Sequence, residues 1–134
     1  MTTNNQTGDQ SLAISHLDES TFVPRGLRSH NVYRDLGVAA ATDRKVKAHV
    51  VRAAHRPAKE SLGGRHKHIL DFQFVYLLKG WQTMRFGDQP EIVTMRAGSS
   101  WIQPAGMVHE VLDYSEDREA LEITMPADYE TIEI

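Results

Sequence analysis

From Val46 to Ala53 the chain alternates, with Val46, Ala48 and Val50 set against Lys47 and His49, the period-two pattern of a half-buried strand. The run FQFVYLLK, from Phe72 to Lys79, holds too many β-branched and aromatic residues in too short a length for a helix. It stops at Gly80, and WQTMRF reads as the returning strand of a hairpin. GDQP is then a turn, and EIVTM, SWIQ, MVHEVLD and EALEITM read as short strands parted by Ala97–Gly98, PAG and YSEDR. Turn signals roughly every eight to twelve residues, with no long helical pattern, predict an all-β sandwich or barrel. Upstream the pattern is weaker. Residues 1–10 are polar and low in complexity, and we expect them to be disordered. Residues 11–45 read as an extended arm broken between Pro24 and Gly26, ahead of a barrel spanning about residues 46–125 of a single domain 11–134.

Strand parity sorts the residues of this barrel into faces. With Gln73 pointing inward, Val75 and Leu77 follow it, and with His109 inward so do Met107 and Val111. Trp101 and Gln103 join them as expected lining of a largely apolar pocket. Arg85 and Glu122 are further inward polar candidates. Phe72, Phe74, Tyr76 and Leu78 then crowd the opposite face, which needs a cover. The N-terminal arm or a second subunit supplies it, and we expect a homodimer.

A chain of 134 residues with 40% hydrophobic content forms one domain with a core of its own. It has no cysteine, so disulfides, thiolate ligands and a cysteine nucleophile are excluded, and any metal must bind through nitrogen and oxygen. The first ten residues carry no basic start or apolar stretch, and FVYLL is far too short to cross a bilayer. A soluble, cytoplasmic protein with no membrane partner is the expectation. The net charge of −3 conceals eight Lys or Arg within residues 44–67 and nine Asp or Glu within 110–133. These segments are expected to pair or to be solvated side by side rather than to form a nucleic-acid surface.

The candidate chemistry is carried by histidines. His66 and His68 stand at i and i+2, so on a strand both imidazoles point to one face, as two ligands of one metal require. His109 follows a Pro-x-Gly turn. His16, His30, His49 and His55 have no such context and read as surface or hydrogen-bonded core residues.

These residues resemble the two motifs of the cupins. His66, His68, Gln73 and Gly80 follow the spacing of the first, in which a Glu usually stands at the place of Gln73. Gly98, Pro104, Gly106, His109 and Asp113 follow the second, whose last position is usually Asn. Glu60 stands where the family usually has an early Gly. The resemblance implies an all-β jelly-roll barrel, with His66, His68, His109 and Gln73 holding one divalent metal ion per chain. Fe(II) is the expected ion in the cell, with Ni, Zn, Mn or Co as substitutes. Gln in place of Glu leaves four neutral donors around the full 2+ charge, a stronger Lewis acid toward a bound enolate or carboxylate.

Cupins with three histidines and no acidic ligand often cleave small oxygenated compounds with O2. The resemblance thus implies a non-haem dioxygenase whose enolisable or phenolic substrate chelates the metal. A redox-neutral lyase or isomerase is the alternative and needs an acid or base beside the metal, for which Glu122, Tyr76 and Asp113 are candidates. A non-catalytic small-molecule binding protein is a third reading. Sensors of this family are usually joined to a DNA-binding domain, for which this sequence has no room, and the enzyme is therefore preferred.

Overall fold

The computed structural model describes residues 6–24, 30–57, 62 and 64–134. Residues 1–5 and Glu60 lie outside the described residues. The strands are β1 (Gln6–Thr7), β2 (Gln10–Ser11), β3 (Asn31–Asp35), β4 (Lys47–Ala53), β5 (His66–Ile69), β6 (Phe72–Lys79), β7 (Trp81–Phe86), β8 (Val93–Arg96), β9 (Ser100–Ile102), β10 (His109–Tyr114), β11 (Glu119–Met125) and β12 (Glu130–Glu133). One four-residue helix, α1 (Val38–Ala41), lies between β3 and β4. The first two strands pair only with each other, so residues 6–10 form a small hairpin rather than the disordered tail expected for the whole of residues 1–10.

The remaining strands build two antiparallel five-stranded sheets, in the orders β12-β5-β10-β7-β8 and β3-β4-β11-β6-β9. An antiparallel all-β sandwich is the fold predicted from the turn spacing. Its limits are wider than predicted. β3, within the expected arm, pairs along the length of β4, and β12, beyond residue 125, pairs with β5.

The connection at Gly80 also differs from expectation. β6 and β7 do not form a hairpin: they belong to different sheets, and Gly80 carries the chain across from one to the other. A hairpin and a crossing both need a tight, glycine-bearing turn, so local sequence cannot tell them apart. Here the geometry demands glycine. Gly80 has φ +74, and a Cβ on it would lie 2.1 Å from Ser115 Oγ and 3.0 Å from the Arg118 Cα. Ser115 occupies that space to accept the Trp81 N–H at 2.9 Å.

Because successive strands pass between the sheets, the motif residues of β5 and β6 face each other across the interior. A core of Val75, Leu77, Met95 and Ala120, with Phe86 and Trp101 packed against it, fills one part of that interior. The rest is a cavity of about 320 Å³ walled by both sheets. β4 is buried on both faces. Ala48 and Val50 point away from the cavity while His49 and Val51 line it, which reverses the expectation that His49 sits on the solvent side.

Candidate metal centre

His66 on β5 and His109 on β10 are directly opposed in register, and His68 is two residues along the same face of β5. The three imidazoles converge: one ligand nitrogen from each lies within 4.8 Å of the others, with ring centroids 4.3–5.0 Å apart. Their orientation is set from behind. Nδ1 of His66 faces the Gly64 carbonyl at 3.0 Å, and Nδ1 of His109 faces the Met107 carbonyl at 3.1 Å. A carbonyl oxygen only accepts, so both Nδ1 atoms carry the proton and Nε2 is left as the basic nitrogen suited to a metal. Nδ1 of His68 meets Thr131 Oγ1 at 2.8 Å, a contact supplied by β12.

Gln73 reaches the site from the other sheet. Its Nε2 donates to Glu122 Oε2 at 2.9 Å, while its Oε1 is buried with no hydrogen-bond partner. An orphaned carbonyl oxygen in the cavity that holds three oriented imidazoles fits the fourth donor of a metal site. The donor set suits a divalent ion of borderline character, without identifying which.

Glu122 lies on β11 directly opposite His49 and diagonal to Gln73. Its Oε1 is 2.6 Å from His49 Nε2, so both oxygens are engaged. Burial pushes the Glu122 carboxyl up, but the hydrogen bond and charge of His49, the Gln73 amide and Lys47 together outweigh it and hold the group at about 2. It is a carboxylate at neutral pH.

Val75, Trp101, Gln103 and Val111 line the cavity together with Glu122. Two expected lining residues, Leu77 and Met107, do not, and neither does the acid or base candidate Tyr76. Leu77 is fully buried, but in the core beside the cavity. Met107 precedes β10 on the exposed Pro-x-Gly turn, where strand parity does not apply. Tyr76 is 39% exposed on the outer face of β6, which removes it as a catalytic candidate.

Two further candidates also point away. Arg85 pairs with Glu110 at 3.2 Å, outside the cavity. Asp113 has the parity of His109, but a register shift between Val111 and Asp113 turns it outward to Arg56 and brings Tyr114 in. His30, His49, Asn31, Gln82, Tyr114 and Arg118 line the cavity without having been expected there. For His49 the signal was available: it shares strand parity with Lys47 and Val51, and the latter is apolar.

No protein-family profile and no curated protein sequence matches the chain. Solved structures do. An RmlC-like cupin from Shewanella frigidimarina NCIMB 400 has a TM-score of 0.59 at 14% identity over 90% of this chain and 96% of its own. A predicted oxalate decarboxylase from Thermotoga maritima has 0.61 at 18% over 84% and 99%. The FeII form of HppE has 0.65 at 13% over 90% of this chain, which spans only 63% of that longer protein. At such identities the likeness concerns architecture alone. The fold of this chain is the cupin jelly-roll barrel, with the three motif histidines gathered at one place inside it.

Proposed function

We propose that this protein is a non-haem metal-dependent dioxygenase, cytoplasmic, acting on a small enolisable or phenolic compound, with Fe(II) held by His66, His68, His109 and Gln73. The observation that carries this reading is the neutral donor set, three converging imidazoles and the unpartnered Gln73 Oε1 in one cavity, while the Glu122 carboxylate is bound to the amide. When bound, an ion that keeps its full 2+ charge supplies Lewis acidity toward an enolate or phenolate and open positions for O2. The chain's own part is binding and exclusion of water. Val75, Val111, Met84 and Trp101 present apolar walls, and Gln103, whose Nε2 is buried without a hydrogen-bond partner, is placed to donate to a substrate oxygen. Glu122, ionised and engaged at both oxygens, orients Gln73 and is a poor base.

The test is an oxygen-uptake screen of Fe(II)-loaded protein against β-dicarbonyl and phenolic compounds. Substrate-dependent uptake is expected, lost together with the metal in His66→Ala and His109→Ala. Full retention of metal by the His66→Ala, His68→Ala double variant would sink the site assignment.

A second reading, a redox-neutral lyase or isomerase, is favoured by one contact. Glu122 accepts from His49 Nε2, so when His49 gives up its other proton the basic nitrogen is Nδ1, buried and without a hydrogen-bond partner, on a ring that lines the cavity. In that case turnover continues under nitrogen and falls in His49→Gln with metal content unchanged, whereas the dioxygenase stops when O2 is removed.

A further inference from the structure

Away from His66, His68 and His109 the same cavity is walled by a cation that the proposed metal chemistry does not use. Arg118 immediately precedes β11 and is 5% exposed. It shares the inward parity of Ala120 and Glu122, and at about 3.3 Å per residue its Cα lies about 13 Å along the strand from that of Glu122. Its Nη1 donates to Gln82 Oε1 at 2.9 Å, its Nη2 donates to Asn31 Oδ1, and its guanidinium lies 4.1 Å from the centre of the Tyr114 ring. All of these partners are neutral. Nε is buried with no acceptor, and of five N–H bonds the structure engages two.

Five other arginines differ from it, while Arg34, also buried, donates to the Ser15 hydroxyl and lies outside the cavity lining. Arg44, Arg52, Arg56, Arg65 and Arg85 each meet a carboxylate, at more exposed positions. Among the described residues no carboxylate forms an ion pair with Arg118, although it is the more deeply buried charge, and Glu122 acts on it only from a distance. A buried cation without a counterion is held at a large desolvation cost, and an anion entering the cavity would offset it. In keeping with this, burial lowers the pKa of the guanidinium, an effect that an anion beside it would oppose.

We propose that Arg118 is the anion-binding subsite of this cavity and that the natural ligand carries a carboxylate, bound by the guanidinium while the ligand's other end faces His66, His68 and His109. A carboxylate fits for two reasons. It is planar and matches two N–H bonds of a guanidinium, and its single negative charge equals the one positive charge that the ring of Asn31, Gln82 and Tyr114 encloses. A phosphate dianion would bring a second charge for which Asn31, Gln82 and Tyr114 supply no cation.

The identification of the ligand's other end rests on the metal-centre reading, but the subsite does not, and the experiment separates them. Hexanoate and its neutral counterpart hexanamide are titrated calorimetrically into the full chain, once as purified and once after dialysis against a chelator. Wild type, Arg118→Gln and Arg118→Lys are compared. The acid is expected to bind about ten- to a hundredfold more tightly than the amide, to lose that advantage in Arg118→Gln and to keep part of it in Arg118→Lys. The preference should survive chelation. Equal binding of acid and amide, no binding of the acid to wild type, or undiminished acid binding by folded Arg118→Gln overturns the proposal. Should Arg118→Gln fail to fold, the acid-to-amide ratio of the wild type decides alone. A preference that disappears on chelation assigns the carboxylate to the metal and also overturns it. A preference that persists in a protein showing no metal-dependent turnover leaves the subsite standing and removes only the proposed activity.

Discussion

A carboxamide has a donor end and an acceptor end, and Glu122 decides which of them Gln73 leaves without a partner. Because Glu122 is an ionised acceptor at 2.9 Å, Nε2 faces it and Oε1 is directed elsewhere. Replacing Gln73 with Glu puts a second carboxylate against the first, where both cannot ionise cheaply without a cation between them. Gln73→Glu should therefore melt below wild type when metal-free and show a larger metal-induced rise in melting temperature, read by calorimetry with and without Zn(II). An unchanged rise would place Gln73 outside the ligand shell. Glu122→Gln acts through orientation instead. It removes the charged acceptor and lets the Gln73 amide turn over, so metal affinity in a chelator competition should fall about tenfold to a hundredfold with the fold intact.

At the scale of elements, the site depends on strands that cross between sheets. Gly80 makes one such crossing with φ +74, where an added Cβ would run into Ser115, Asp117 and the Arg118 backbone. An alanine there meets both an unfavourable backbone conformation and occupied space, so Gly80→Ala should cost about 2–4 kcal/mol in denaturant unfolding. The same change displaces the turn that carries Arg118. A variant as stable as wild type would show that the turn can open without loss. The bulge in β10 does similar work: by inserting a residue between Val111 and Asp113 it trades an inward Asp for an inward Tyr114, the ring on which the guanidinium of Arg118 rests.

Considered as a whole molecule, the chain leaves one broad face uncovered. Tyr76 and Leu78 on β6 and Ile102 on β9 are exposed at 39%, 42% and 60%, beside half-buried Phe72 and Phe74. The arm, over its described residues, does not cover them. It runs instead along β3 and β4, with Ser15 on Arg34, Phe22 on the guanidinium of Arg52 and Val23 bridged to Tyr33, and its own Leu12, Ile14 and Leu17 stay exposed. We propose that a second copy of the chain covers this face and that the exposed arm leucines extend the contact. Light scattering at micromolar concentration should give twice the 15.1 kDa chain mass, and Leu78→Glu with Ile102→Glu should halve it. A wild-type monomer would refute the pairing. Within the chain, Arg44–Asp128, Arg52–Glu119 and Arg56–Asp113 join the basic segment to the acidic one.

Much of this was legible in the residues themselves. Period-two alternation and turn spacing identified the all-β fold, and the i, i+2 spacing of His66 and His68 with His109 after its turn marked the residues that converge, because both signals are local. Parity along regular strands correctly put Val75 and Val111 in the cavity wall. It failed where the backbone departs from regularity: at the bulge that turns Asp113 outward and on the turn that exposes Met107. Which strands pair is a long-range matter, and a glycine turn looks the same whether it closes a hairpin or crosses between sheets. That is why only the tertiary structure could set Gln73 against Glu122, bring His49 into the wall, and bury Arg118 among neutral partners. The hydrogen bonds that make these contacts join residues at least 36 positions apart, held together by sheet register and burial rather than by neighbours in the chain.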